Sequence, residues 1–436
     1  MGEYISGFSK LSKTEKIEWL RRYTHSTPDF SVLDASGEKE QKIIEGLSEN
    51  VIGRYALPYS IVPNFLINGR YYNVPMVTEE SSVVAAAAAA AKFWAQRGGI
   101  KTEVLGNTKL GQIHFTWSGP RQVLETMWDE LVQLFMEVTE ELTANMRARG
   151  GGIKDISLKS FEDIAPEYYQ ILVGFDTKDS MGANFINSVL ERIGEVFEDF
   201  IGSDPRLADW DLEVIMCILS NYAPDCRVRA SVTCSLTEQQ LPGCGQDDSM
   251  AFAKKFEKAI RIAEMDVYRA TTHNKGIFNG VDAVVIATGN DFRAVEACGH
   301  AYAARDGQYR SLSRCRVTED RFHFWLEIPL TVGTVGGLTK LHPLAKFSLE
   351  LLGHPTAEEL MQIIAAVGLM QNFAAVRSLV TTGIQHGHMK MHLTNIVNHL
   401  EASPQETERI LDHFKDKKVS FTAVRNYLEQ LRREKV

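Results

Sequence analysis

Residues Val83–Trp94 read VVAAAAAAAKFW, almost pure Ala and Val with one lysine. Alanine is the best helix former, and Glu79-Glu80-Ser81-Ser82 just ahead supplies a polar start. A helix that is apolar nearly all round must be buried. Its side chains are small enough for another backbone to come close. Such a helix demands a large core around it. At 436 residues the chain exceeds one typical core, so two or three domains are expected.

Around that helix the punctuation predicts the remaining elements. Residues 1–48 read as polar helix. Ile61–Pro63 with Phe65–Ile67, and then Tyr71–Val77, are strand-like, and Asn68-Gly69 between them is a hairpin signal. Two strands are expected around Gly106 and Gly111. One long amphipathic helix, Pro120–Arg149, should stop at Gly150-Gly151-Gly152. Strands near Ile153–Leu158 and Tyr169–Phe175 and a helix from Met181 to Phe200 follow. That order predicts a small α+β domain inserted into a larger one. A strand at Val228–Cys234 and a helix at Ala251–Ala270 return the chain to the large domain. The apolar run Ala283–Ala287 reads as a strand, with Lys275 in a loop before it and Thr288-Gly289-Asn290-Asp291 closing it. A further strand is expected at Arg321–Pro329. Thr356-x-x-Glu359 and Ser403-x-x-Glu406 are capping boxes that open helices Ala357–Val380 and Pro404–Lys415. From Gly383 the chain reads as a helical, polar flap.

Bulk properties exclude more than they assign. A net charge of −9 without a basic stretch argues against a nucleic-acid surface. The six cysteines form no CxxC pair, and their low density suits free thiols in a reducing, cytoplasmic setting. The opening residues lack a secretory pattern, and the longest apolar run, Val83–Ala91, is too short to span a bilayer.

Four side chains form an acid/base and oxyanion set that needs no metal. Glu80 opens the buried helix, so an apolar setting should raise its affinity for a proton. Read blandly, it is a partner for the helix dipole. Lys275 is a candidate oxyanion stabiliser, or a solvated loop lysine. Asp291 is a candidate to hold that ammonium, or simply an N-cap. His388 lies among four histidines between residues 386 and 399, where HExxH is absent. A flap histidine acting as a general acid fits better than zinc. Two turns, Asp179–Asn184 and Thr331–Gly337, contain glycine, and the first opens a helix whose N–H groups could face a phosphate. Neither turn matches a Rossmann or P-loop fingerprint.

Nine segments, in order, resemble the class II 3-hydroxy-3-methylglutaryl-coenzyme A reductase family, the soluble bacterial and archaeal type. They are Glu49–Gly53, Val74–Glu80, Asp179–Asn184, Leu219–Asn221, Thr272–Gly276, Gly289–Asp291, Gly333–Gly337, Gln371-Asn372 and Gly387–Met389. The turn has Ser180 where the family often has Ala. The resemblance implies an α+β fold: a large mixed α/β substrate and dimerisation domain (1–106 and 221–382), an inserted ferredoxin-like NAD(P)-binding domain (107–220), and a helical C-terminal flap (383–436). It implies two-step reduction of HMG-CoA to mevalonate and coenzyme A by a homodimer, or a higher oligomer of dimers, with no membrane or nucleic-acid partner. Glu80 would donate a proton, Lys275 stabilise the oxyanion, Asp291 position it, and His388 protonate the departing thiol. Ser82, Arg269, Asn279 and Asn372 would contact the acyl group. Asp179, Met181, Gly182, Asn184, Asn221, Gly333 and Gly336 would face the dinucleotide. Asp176, at a strand end, could accept from a ribose 2′-hydroxyl, which leans the cofactor toward NADH over NADPH, though Lys178 would do the reverse. The rival readings are another NAD(P)-dependent dehydrogenase with a Lys/Asp pair, and a non-catalytic oligomeric binding protein of the same fold.

Overall fold

The computed structural model describes residues 3–24, 26–33, 38–238, 241, 249–381, 393, 396–397, 399–414, 417 and 419–433. Two short helices, α1 (Lys13–Tyr23) and α2 (Glu38–Glu45), lead to a hairpin of β1 (Tyr59–Ile67) and β2 (Arg70–Val77). The expected turn is there: Asn68 and Gly69 both take positive φ, 49° and 84°, the geometry that keeps a two-residue hairpin in step with strand twist. β2 hands the chain to Glu79–Ser82 and then to α3 (Val83–Ala95). Burial of α3 is not complete. Val83, Ala87, Ala90, Ala91 and Trp94 face the core, while Ala85 and Ala89 are open to a cleft. The small side chains therefore shape a wall as well as a packing face.

The chain then enters β3 (Lys101–Val104), β4 (Lys109–Trp117), α4 (Arg121–Val138) and α5 (Glu140–Ala148). The single helix expected over 120–149 is two helices. At the break, the buried Thr139 hydroxyl donates back to the Phe135 carbonyl, a bond that bends helices. β5 (Gly152–Ser160), β6 (Tyr168–Asp176), α6 (Ala183–Ser203) and β7 (Leu212–Ser220) complete a β-α-β-β-α-β unit with sheet order β5-β6-β4-β7, antiparallel throughout. That is ferredoxin-like topology. β7 is absent from the sequence expectation because Leu212–Leu219 is apolar on both faces, with no alternation to read.

A second antiparallel sheet, β3-β8-β10-β9, is made with β8 (Arg227–Ser235), β9 (Ser313–Val317) and β10 (Arg321–Pro329). Helices α7 (Ser249–Met265), α8 (Val267–Ala287), α9 (Phe292–Ala303), α10 (Leu338–Leu341), α11 (Pro343–Leu351) and α12 (Ala357–Val380) surround it. The largest departure from expectation is α8. Ala283–Ala287 is the end of a 21-residue helix, not a strand, and Lys275 sits inside that helix. Its buried positions 270, 274, 277, 278, 281, 284 and 285 keep helical spacing. Gly280 lets α12 come close, for a Cβ there would lie 2.9 Å from Gln371 Cβ. By length and composition α12 could cross a membrane, yet 72% of its most apolar window is buried, against α3, α8 and β8. Both expected capping boxes are present, on α12 and on the Pro404–His413 helix.

Among the described residues four separate apolar clusters result. One runs from Val62 to Val380, one fills the β4–β7 sheet and its helices, one joins Leu393, Ile410, Val424 and Leu428 near the C-terminus, and a small one packs Leu20 and Phe30 on Phe347 and Leu351.

Candidate active site

Asp266 caps α8, accepting from the amides of Tyr268 and Arg269 at 3.2 Å, and so sets the helix phase. From that phase Arg269, Lys275 and Asn279 all line one cleft of about 660 Å³. Its opposite walls are α3, through Ser82, Ala85 and Ala89, and α12, through Asn372 and Arg377. All four expected acyl-contact residues, Ser82, Arg269, Asn279 and Asn372, therefore share this cleft. Ser82 holds a left-handed conformation, φ 77°, at the start of α3, a strain of about 1–3 kcal/mol of the kind that gathers at functional sites. Asn372 Oδ1 accepts from the Ser313 hydroxyl at 2.8 Å, and Ser313 in turn bonds His273 Nε2 at 2.7 Å. Burial drives the His273 pKa down to about 3, so the ring stays neutral and supplies its Nε2 proton to this relay. Arg269 and Arg377 are both partly desolvated, which pulls their pKa values down. An anion in the cleft would relieve that cost.

A second, larger cleft of about 1110 Å³ lies between the β4–β7 unit and the main body. Met181, Gly182, Asn184, Gly333 and Gly336 line it as expected. Gly182 takes φ 84° and leaves the N-terminus of the 21-residue α6 without a side-chain cap, so its amides are free for an anion. Three other expected dinucleotide contacts do not line this cleft. Asp179 Oδ1 accepts from the Ala357 amide at 2.8 Å and caps α12, while its carbonyl takes the amides of Thr334 and Val335. Asp176 pairs with Lys178 at 2.8 Å and accepts from Asn107 at 3.2 Å. The two residues expected to oppose one another over a 2′ group therefore neutralise each other. Asn221 is exposed just beyond β7.

The two clefts meet at Glu80 and Asn279, which line both. Lys275 Nζ donates to Glu80 Oε2 at 2.6 Å. Glu80 is not dry: its side chain is 41% exposed and turned to the lysine rather than packed on α3. The desolvation expected for it is not present. Asp291 follows a Schellman ending of α8, in which the Asn290 amide reaches the Val285 carbonyl at 2.9 Å and Gly289 takes φ 70°. It caps α9 through the amides of Arg293 and Ala294. Burial works to raise its pKa, but the Arg293 guanidinium and those amides hold it below the usual carboxylate range. Its ion pair is with Arg293 at 3.2 Å, and among the described residues it makes none with Lys275. His388 lies outside the described residues.

Other residues at the site went unread. Arg377 is the single charged residue between Leu360 and Val380, a signal that was there to be found. Asp282 and Glu296 line the larger cleft side by side; burial first, then Glu296, pushes Asp282 up to about 8. Lys109 is buried at the junction of the two bodies. Among the described residues no group of three or more His, Cys, Asp or Glu is placed to hold a metal.

A cationic cleft is thus joined through a Lys–Glu pair to a glycine-lined cleft at a helix N-terminus. The sequence profile of hydroxymethylglutaryl-coenzyme A reductase matches residues 12–393. The chain belongs to that reductase family. It is 36% identical to the 3-hydroxy-3-methylglutaryl-coenzyme A reductase of Archaeoglobus fulgidus over 99% of this chain and 95% of that protein. Against the probable reductase of Borreliella burgdorferi it is 34% identical over 95% and 92%. A class II reductase structure from Streptococcus pneumoniae, bound to NADPH in open conformations, matches with a TM-score of 0.77 and 37% identity. It covers 97% of this chain and 100% of that one. A member of this family is an oxidoreductase. The lean toward NADH finds no support, since Asp176 is tied to Lys178 and the Streptococcus structure holds NADPH.

Proposed function

We propose that this reductase-family protein converts HMG-CoA, two reduced nicotinamides and two protons to mevalonate, free coenzyme A and two oxidised nicotinamides. The observation that carries this is the meeting of the two clefts at Glu80 and Asn279, with Lys275 bonded to Glu80 there. The acyl group occupies the Arg269–Asn372 cleft and the dinucleotide the Gly182–Gly336 cleft, its pyrophosphate at the α6 N-terminus. NADPH is the first cofactor to try, because the Streptococcus relative binds it.

The first hydride makes a hemithioacetal oxyanion, which the Lys275 ammonium stabilises; one preorganised donor is worth about 3–4 kcal/mol. Collapse of that intermediate breaks the C–S bond, and the thiolate takes a proton, assigned to His388. The second hydride converts the aldehyde to an alkoxide, which takes its proton from the Lys275–Glu80 pair. Asp291 positions the lysine once the cleft closes. The 383–436 segment is read as the cover, and a second copy of the chain as the partner, which the exposure of Ile52 and Tyr55 (104% and 90%) supports. Free thiols at Cys217, Cys226, Cys234, Cys298 and Cys315 support a cytoplasmic setting.

The test mixes protein, mevalonate, coenzyme A and NAD or NADP and follows absorbance of the reduced nicotinamide. Growth of that absorbance only when all three small molecules are present is expected. None with either dinucleotide would end the reading. Asn184→Ala should raise the dinucleotide KM and not the acyl-CoA KM, which separately tests the assignment of the clefts.

A further inference from the structure

Lys109 is 6% exposed, and among the described residues no carboxylate lies within ion-pair distance of it. Its ammonium is instead ringed by oxygens: Thr177 Oγ1 at 2.7 Å, the Ser180 carbonyl at 2.7 Å, the Met181 carbonyl at 3.1 Å and the Val332 carbonyl at 3.4 Å. A buried charge costs free energy unless it is well bonded, and a surface lysine would do as well if nothing needed holding. The oxygens come from two bodies. Thr177, Ser180 and Met181 belong to the turn between β6 and α6, and Val332 follows β10 in the main body.

What this ammonium joins is the wall of the larger cleft. The turn and the 332–337 segment touch backbone to backbone: Ser180 bridges Val335, and the Asp179 carbonyl accepts from Thr334 at 2.7 Å. A Cβ on Gly333 would stand 2.4 Å from the Met181 nitrogen. The Gly333 amide then donates to Asn290 Oδ1 at 2.8 Å, and Asn290 is the neighbour of Asp291. One cation thus sits at the head of a chain of contacts running from the α6 N-terminus to the catalytic loop.

We propose that Lys109 is a positioning residue for the dinucleotide. Its ammonium pins the Thr177–Gly182 turn to Val332 and so fixes the α6 N-terminus against the 333–337 segment and the Asn290-Asp291 loop. The proposal rests on the reading of this cleft as the dinucleotide site. Burial pulls the Lys109 pKa down, opposed by the nearby Cys226, Asp176 and Asp179, while the ring of oxygens takes up the N–H donors of the ammonium.

The test uses the full chain and measures KM for dinucleotide and for HMG-CoA separately in Lys109→Met and Thr177→Val. Lys109→Met should raise the dinucleotide KM roughly tenfold or more, and Thr177→Val about threefold, each leaving the HMG-CoA KM within about twofold. Lys109→Ala should bind dinucleotide more tightly when ethylammonium is added, and not when sodium at equal ionic strength is added. An unchanged dinucleotide KM, or an equal rise in both KM values, overturns the proposal. If Lys109→Met does not fold, Thr177→Val decides by itself, since it changes one buried oxygen and almost no volume. The parent reading fails on a different result: Asn184→Ala leaving the dinucleotide KM unmoved. Should Asn184→Ala raise that KM while the Lys109 and Thr177 variants do not, only the role of Lys109 is lost.

Discussion

The two clefts, proposed for the acyl group and for the dinucleotide, share Glu80 and Asn279 but are built of different material. The first is made of side chains on three helices, α3, α8 and α12, that also pack the main core. Its charged lining is mostly cationic: Arg269, Lys275 and Arg377 against Glu80. The second joins turns around Gly182, Gly289 and Gly336 to side chains of α6, α8 and α9, between two cores. Its charged lining is mostly acidic: Glu79, Glu80, Asp282, Asp291 and Glu296 against Arg293. Acids around a phosphate site look wrong until their partners are counted. Glu80 is paired with Lys275, Asp291 with Arg293, and burial and the Glu296 carboxyl disfavour the charge on Asp282. On the proposed assignment, the acyl cleft would recognise its ligand by charge on rigid supports. The dinucleotide cleft would rely on the α6 amides and on shape, and so on how two bodies are held together.

The contrast can be broken most strongly at the lysine. Lys275→Ala should lower kcat by about 10²–10³, the worth of one preorganised donor, and leave dinucleotide binding, followed by quenching of protein fluorescence, near that of the parent. Turnover close to the parent's would remove Lys275 from the chemistry. Arg269→Ala should raise the HMG-CoA KM roughly 10- to 100-fold, the range for a lost hydrogen bond to a charged group. The dinucleotide KM should stay put. Equal changes in both would mean the clefts do not divide the substrates. On the other side, Gly333→Ala pushes a methyl into the Met181 amide at 2.4 Å. Overpacking of that kind typically costs about 1–3 kcal/mol. It should appear as a raised dinucleotide KM with the HMG-CoA KM little changed.

The same contrast governs what the sequence makes legible. Local signals succeed where one or two residues decide a backbone state: Asn68-Gly69 in its turn, Thr356 with Glu359 on α12, Asp291 as a cap. They fail where packing overrides them. Ala283–Ala287 is too short to tell a strand from a buried helix, and Gly276 and Gly280 beside it look like a loop, although at Gly280 it is α12 that needs the space. The four residues that the resemblance offers for the acyl group line one cleft, because their elements, α3, α8 and α12, pack together in the main core. Asp176, Asp179 and Asn221 do not line the larger cleft, because Asp176 is paired with Lys178, Asp179 caps α12 and Asn221 lies exposed past β7. Glu80 is misjudged in its surroundings, since the sequence cannot show that Lys275 reaches it before any apolar face does. Lys109 carries a readable signal. It is in phase with Ile113, Phe115 and Trp117 on a strand that alternates, so a charge is aimed inward.

The smallest expected effect concerns the acid pair of the dinucleotide cleft. Asp282 keeps its proton to about pH 8 in the folded protein, because burial and the Glu296 carboxyl disfavour its charge, against 3.8 when unperturbed. The unfolded chain therefore loses this proton first as pH rises. The stability Asp282 contributes is complete below about pH 4 and is withdrawn progressively until the folded pKa is passed. Asparagine has no such proton to lose. Asp282→Asn should thus match the parent in thermal midpoint near pH 4 and exceed it increasingly toward pH 8, by roughly 2–4 °C if about 1 kcal/mol is recovered. A difference that stays flat with pH would show that Asp282 does not hold its proton in the folded protein. The acids of this cleft would then carry their full charge beside the dinucleotide, and its contrast with the acyl cleft would be one of charge as well as of construction.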